Sequence, residues 1–324
     1  MQTNDQILAQ FENYLGQIDL PKEPELLYAP IEYSLSGGGK RLRPLLLLLA
    51  CEAYGNHYKP ALSAAAAVEV FHNFTLLHDD IMDHSPLRRG KPSVVARWGE
   101  NVAILSGDAM LITAYRLLSA TPAPNLARLM EIFNTMAVGV CEGQQYDMDF
   151  EQRKMVSVVE YMRMIELKTS VLLAGSAMIG ALIGGASEEE ARKLYKFAIE
   201  LGMAFQLQDD LLDSYGDEQL GKPIGGDICE GKKSYLMITA MSRATSEEDR
   251  ETLRSTHLDE SLAREEKIAR IRAIYDRLEI PRLTELQISL RFERALAILD
   301  TLDLPRERTA GLREFAERLM GRKK

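Results

Sequence analysis

The 324-residue chain carries 39 Lys and Arg against 48 Asp and Glu, a formal charge of -9, with 46% apolar and 27% charged residues. That balance can bury a sizeable core and argues against disorder, and the negative total argues against a nucleic-acid partner, whose phosphates require a clustered basic face. Cys51, Cys141 and Cys229 show no CxxC spacing, so neither a disulfide framework nor a zinc knuckle is legible, and free thiols in a reducing cytoplasm are expected.

Apolar residues recur at three- and four-residue spacing along most of the chain, and runs of strict alternation are missing, so the expected class is all-α. The pattern predicts helices near 4–17, 23–35, 43–54, 60–83, 101–119, 125–149, 155–184, 188–214, 233–244, 260–277 and 306–321. The N-terminal stretch lacks the apolar run of a signal peptide, which predicts a cytoplasmic protein. The longest uncharged stretch, Val171 to Ala186, is short of the roughly 20 residues of a spanning helix and contains four glycines. It reads as a buried helix, with no stable membrane insertion. Two loops rich in glycine, proline and charge, His84 to Pro92 and Ser214 to Gly231, each follow an aspartate cluster. No linker separates them, so one domain over residues 1–324 is expected.

The clusters are Asp79, Asp80, Asp83 and Asp209, Asp210, Asp213, each a DDxxD pattern closing a long apolar helix. With 18 aspartates in the chain, one such pattern arises by chance in roughly one chain in twenty and two in roughly one in a thousand. The first and last aspartates of each cluster fall about 40° apart on one helix face, one turn apart, while the middle one points elsewhere. Carboxylates so placed repel unless a cation sits between them, and hard oxygen donors select magnesium or a similar ion. Aspartate is also disfavoured at a helix C-terminus by the macrodipole, so its placement there twice suggests a function.

Basic groups stand near the acidic ones. Ser36 to Pro44 places three glycines and the cations Lys40, Arg41 and Arg43 before an apolar helix, a composition able to cradle a diphosphate. Arg88, Arg89 and Lys91 follow Asp83 closely enough that they must fold back toward the first cluster. His72 lies seven residues before Asp79 and about 20° away on the same helix face.

These residues closely resemble the trans-isoprenyl diphosphate synthases, the family of farnesyl and geranylgeranyl diphosphate synthases. The marks are GGGKRLRP at 37–44, HNFTLLHDDIMDHSPLRRGKP at 72–92, GDAML at 107–111, GQQYD at 143–147, KT at 168–169, FQLQDDLLD at 205–213 and GKPIGGD at 221–227. The resemblance implies an isoprenoid synthase fold, a single-domain bundle of long antiparallel helices around a central cavity, working as a homodimer. It implies that Asp79 and Asp83 bind two magnesium ions and Asp209, with Asp213, a third, supported by Asp80, Asp210, Gln144 and Asp147.

By the same resemblance, isopentenyl diphosphate would be held by Lys40, Arg43, His72 and Arg89, and an allylic prenyl diphosphate by Arg88, Lys168, Lys222 and Lys232. Thr169 and Gln206 would place oxygens beside the developing carbocation. The implied reaction is head-to-tail condensation with release of pyrophosphate, the two acidic helix ends bridging metals to one shared diphosphate. Phe74, five positions before the first aspartate, with the small Thr75 after it, implies a short product, C15 or C20, although Phe74 lies about 140° from Asp79 on a helical wheel. A helical terpene cyclase would lack the second DDxxD and the GGGKRLRP loop. A metal-dependent phosphohydrolase built on His78 and Asp79 leaves both clusters unexplained, and a silent partner subunit would have lost one of them.

Overall fold

The computed structural model describes residues 2–55, 57–216 and 224–321. Its helices are α1 (Asn4–Gly16), α2 (Glu25–Ser36), α3 (Leu42–Tyr54), α4 (Leu62–Met82), α5 (Val94–Trp98), α6 (Glu100–Ser119), α7 (Leu126–Gln152), α8 (Val158–Ile165), α9 (Val171–Ile183), α10 (Glu188–Tyr215), α11 (Gly226–Glu230), α12 (Tyr235–Arg243), α13 (Glu247–Ser255), α14 (Arg264–Arg277), α15 (Ile280–Leu299) and α16 (Arg306–Met320). Among the described residues the one β pairing is a hairpin of β1 (Leu87–Arg88) and β2 (Lys91–Pro92). Two-residue strands are too short to leave a period-two pattern, so the sequence reading passed over them.

The chain gathers into two compact units, each from separate stretches. One comprises Met1–Asn134, Gly175–Leu194 and Asp303–Leu312, the other Thr135–Ala174, Tyr195–Leu302 and Arg313–Lys324. In the first, α1 starts at a capping box in which Thr3 and Gln6 satisfy each other's backbone amides, and it buries Ile7, Phe11 and Leu15 at helical spacing. Leu45 to Leu49 of α3 are all buried, as are Ala64 to Ala67 of α4. That alanine run lets a neighbouring helix come close, and α6 packs along α4.

The second unit has a core of Leu236, Leu253, Ile271, Ile274, Tyr275 and Ile280. A second cluster holds Phe150, Tyr161, Met164, Met203, Leu207 and Tyr235. The expected single helix over 155–184 is interrupted: α8 begins at a Ser157–Glu160 capping box, and a π-helical turn at Glu166–Ser170 separates it from α9. Such turns insert a residue into the helical ladder and re-aim the side chains they carry. The helix α15 falls where the pattern predicted none, and α5, α11 and α13 are likewise additional.

Two stretches are long and apolar enough to cross a membrane, Glu100–Ser119 and Val158–Ile183. The second is 83% buried within the protein, as core helices are, and the first 39%.

Candidate active site

In the first unit the helical backbone carries through the whole first aspartate cluster. Asp83 caps α4 with φ -86° and ψ 0°, and its amide donates to the Asp79 carbonyl at 2.9 Å, so Asp79 and Asp83 share a face. Asp80 turns inward and is only 3% exposed. Arg88 Nε and Nη2 donate to its Oδ1 at 2.9 and 2.5 Å, and Nη2 also reaches Asp79 Oδ2 at 3.1 Å. Burial pushes the Asp80 carboxyl above its ordinary value, and the Arg88 guanidinium opposes that.

Arg88 arrives there through the hairpin, in which Leu87 pairs with Pro92 and Arg88 with Lys91. The two turn residues, Arg89 and Gly90, have φ of 53° and 74°, the pair of positive values that a tight two-residue hairpin requires. The turn directs the Arg89 guanidinium onto the glycine loop, where Nη1 donates to the Gly38 carbonyl. The GGGK loop and the RRG hairpin thus form one basic rim, with Lys40 exposed beside it.

Beneath the rim, Arg43 Nη1 donates to His72 Nε2 at 3.1 Å. A guanidinium has no acceptor, so that imidazole nitrogen carries the lone pair and Nδ1 the proton. Burial holds His72 well below the ordinary histidine range, and the charges of Arg43, Arg89 and Arg88 lower it further. Burial likewise brings Arg43 down to about 10, against the pull of Glu69 and with the push of Arg89. Arg43 Nε is buried without a hydrogen-bond partner among the described residues, an arrangement that an entering phosphate oxygen would satisfy. Phe74 packs between Phe71 and His78, with ring centroids 5.6 and 4.6 Å away, and the Thr75 hydroxyl donates to the His72 carbonyl at 2.8 Å.

The second unit contains a cavity of about 430 Å³ whose lining includes Asp147, Lys168, Thr169, Gln206, Asp210 and Lys232. Lys168 Nζ donates to Asp147 Oδ2 at 2.6 Å. The Thr169 hydroxyl donates to Gln206 Oε1 at 3.0 Å, and Gln206 Nε2 donates to Asp210 Oδ1 at 3.2 Å. Asp210, the middle residue of its cluster, is 5% exposed. Its Oδ2 accepts from the Tyr161 hydroxyl and, at 2.9 Å, from the Tyr235 amide. Burial pushes Asp210 up to about 6, against those bonds.

Lys168 and Thr169 reach the cavity from the π-helical turn, and the turn depends on Gly143 of α7. A β-carbon at Gly143 would lie 2.2 Å from the Lys168 amide nitrogen and 2.6 Å from its Cα. Only glycine allows two backbones this close, which gives the glycine of GQQYD its physical reason.

Asp213 accepts the Asp227 amide on Oδ2 at 3.0 Å, and its carbonyl accepts from Gly225 at 2.6 Å. Burial, with the Asp213 and Asp210 charges adding, pushes the Asp227 carboxyl up to about 8. Lys232 Nζ pairs with Glu230 at 3.3 Å. Gln144, Asp209 and Asp213 do not line the cavity, and Lys222 lies outside the described residues. Tyr161, Asp227, Lys233 and His257 do line it, and the sequence reading gave none of them a role. Asp227 stood in a recognised motif, whereas nothing in the spacing marks Tyr161 or His257.

The donor chemistry fits magnesium. Each helix presents two carboxylates one turn apart, Asp79 with Asp83 and Asp209 with Asp213, a pair of hard oxygen donors of the kind a divalent cation bridges. Among the described residues no three acidic, histidine or cysteine side chains close into a cage. Magnesium suits such an open set, because it retains waters and takes phosphate oxygens alongside one or two carboxylates.

The polyprenyl synthetase family pattern matches residues 24–277. The chain belongs to the polyprenyl synthetase family. Relatives include a geranylgeranyl diphosphate synthase of Methanosarcina mazei, 47% identical over 223 residues, which are 68% of this chain and 69% of that protein. One from Saccharolobus solfataricus is 40% identical over 293 residues, 84% of this chain and 88% of that one. A crystal structure of a geranylgeranyl pyrophosphate synthase superposes with a TM-score of 0.95 at 43% identity, over all of both chains. This polyprenyl synthetase is therefore a prenyltransferase with the all-α isoprenoid synthase fold.

Proposed function

We propose that the chain joins isopentenyl diphosphate head to tail to an allylic prenyl diphosphate, releasing pyrophosphate and giving an all-trans product of C15 to C20, with C20 favoured by the names of its relatives. The observation that carries this is one cavity lined both by the Lys168–Asp147 pair and by the hydrogen-bonded series Thr169, Gln206 and Asp210. The reaction breaks the allylic C–O bond, so positive charge develops on carbon and negative charge on the departing diphosphate. Thr169 Oγ1 and Gln206 Oε1 offer dipoles to the first, held in place by the bond between them and by Asp210. Lys168 and Lys232 offer charge to the second. Phe150, Met164 and Ile165 line the same cavity and exclude water from the cation. The isopentenyl double bond forms the new C–C bond, and the proton lost from the adduct passes to the released pyrophosphate.

Magnesium, held by Asp79 and Asp83 and by Asp209 and Asp213, would neutralise the diphosphate charge as it develops. Isopentenyl diphosphate is assigned to Lys40, Arg43, His72 and Arg89, where buried Arg43 Nε awaits an acceptor. The allylic diphosphate is assigned to Arg88, Lys168, Lys222 and Lys232. We take residues 1–324 as one catalytic domain that acts in the cytoplasm as a homodimer. Leu105 and Ile112, on α6, are 61% and 62% exposed, an apolar surface that a second copy would cover. Purified protein incubated with magnesium, isopentenyl diphosphate and each allylic primer in turn is expected to give C15 or C20 diphosphates, and no prenyl product with any primer would overturn the proposal.

A further inference from the structure

Arg41 stands between Lys40 and Arg43 but does not face the same way. Its side chain is buried, 4% exposed, and its backbone caps α3 in the left-handed region, at φ 46° and ψ 38°, with no side-chain cap. An L residue adopts that conformation at a cost and keeps it only where its surroundings hold it there. Three bonds do so: Arg41 Nη1 donates to Glu69 Oε1 at 2.6 Å, Nε to Glu12 Oε1 at 2.8 Å, and Nη2 to the Leu35 carbonyl at 2.7 Å. These tie α3 to α4, α1 and α2 at one point.

Glu69 is the buried end of this network, 2% exposed. Asn73 fixes it in turn, donating to Glu69 Oε1 at 3.0 Å and to the Glu69 carbonyl at 2.8 Å. Asn73 lines a small cavity together with Gly37, Arg88 and Arg89. His72, which accepts from Arg43, lies one helical turn beyond Glu69 on α4. The charge of Glu69 is also felt at Arg43 and Arg89, where it opposes the mutual repulsion of the cations.

We infer that Glu69, acting through Arg41, is the positioning residue of the nonallylic diphosphate site: it holds the left-handed turn that aims Lys40 and Arg43 and supplies the buried negative charge that lets the arginines gather. The inference rests on the function proposed above. It concerns a residue that touches no substrate, so its mark is an effect on one substrate alone.

The test is steady-state kinetics of Glu69→Gln, which keeps the shape and removes the charge, with Glu69→Asp as the conservative variant. KM for isopentenyl diphosphate is expected to rise about tenfold in Glu69→Gln and to recover in part in Glu69→Asp, while KM for the allylic substrate stays within about twofold. An equal rise in both KM values, or an unchanged KM for isopentenyl diphosphate, overturns the inference. Should Glu69→Gln fail to fold, Glu12→Gln at the more exposed end of the network decides. There a rise of about threefold in the same KM supports the inference and no rise overturns it. Failure of the functional proposal is separate, because it would appear as absence of prenyl transfer in the unsubstituted protein.

Discussion

The two middle aspartates, Asp80 and Asp210, are buried and bonded to protein, while Asp79 and Asp83 share the outer face of their helix. This is the division that the 100° step of a helix implies, and it was legible from spacing alone. It separates two kinds of substitution. Asp79→Ala and Asp209→Ala each remove an outer carboxylate, so turnover is expected to fall by about a thousandfold or more, with the melting temperature changed by less than about 3 °C. Retained turnover in both would show that the clusters are not metal ligands. Arg88→Ala instead strands the buried Asp80 carboxylate. Its cost should be about 2 kcal/mol, below that of a fully buried pair because Arg88 keeps contact with solvent, and a chemical denaturation midpoint measures it. The identities of the partners were not legible. Arg88 was expected to fold back toward the acidic cluster, but Tyr161 came from a helix whose pattern showed only an apolar stripe.

At the scale of elements, the long periodic helices α4, α7 and α10 were readable because each buries a continuous stripe. Others were not. In α15, Leu286 is 61% exposed and Leu290 36%, so apolar residues lie on its outer as well as its inner face and the period blurs. Pro281 at its first turn was the remaining signal. The π-helical turn left no trace in the pattern either, since one inserted residue hardly shifts a 3.6-residue period. Its dependence on Gly143 is testable. Gly143→Ala puts a β-carbon against backbone, which cannot move aside as a side chain could, so a loss of about 2–3 kcal/mol is expected, with a raised KM for the allylic substrate. Gly16→Ala, where nothing lies within 4 Å, is the control and should leave the denaturation midpoint nearly unchanged.

For the whole molecule, neither compact unit is a continuous piece of chain. A single catalytic domain should melt in one transition, with calorimetric and van't Hoff enthalpies in agreement; two separated transitions would argue for independent domains. Product length is also a property of the assembled protein. Phe74→Ala, by removing a ring packed against Phe71 and His78, is expected to lengthen the products, read as carbon number, and an unchanged distribution would place the floor elsewhere. By itself the sequence determined the helical class, the two acidic faces, the basic glycine loop and the family, because these depend on residues within a turn or two of one another or on motifs read in order. Tertiary structure decided the partners that lie far apart in the chain: Arg41 with Glu69, Lys168 with Asp147 and Tyr161 with Asp210. Those pairs exist because helices distant along the chain pack together and leave buried charge that must be matched, and no local period encodes which helix will supply the match.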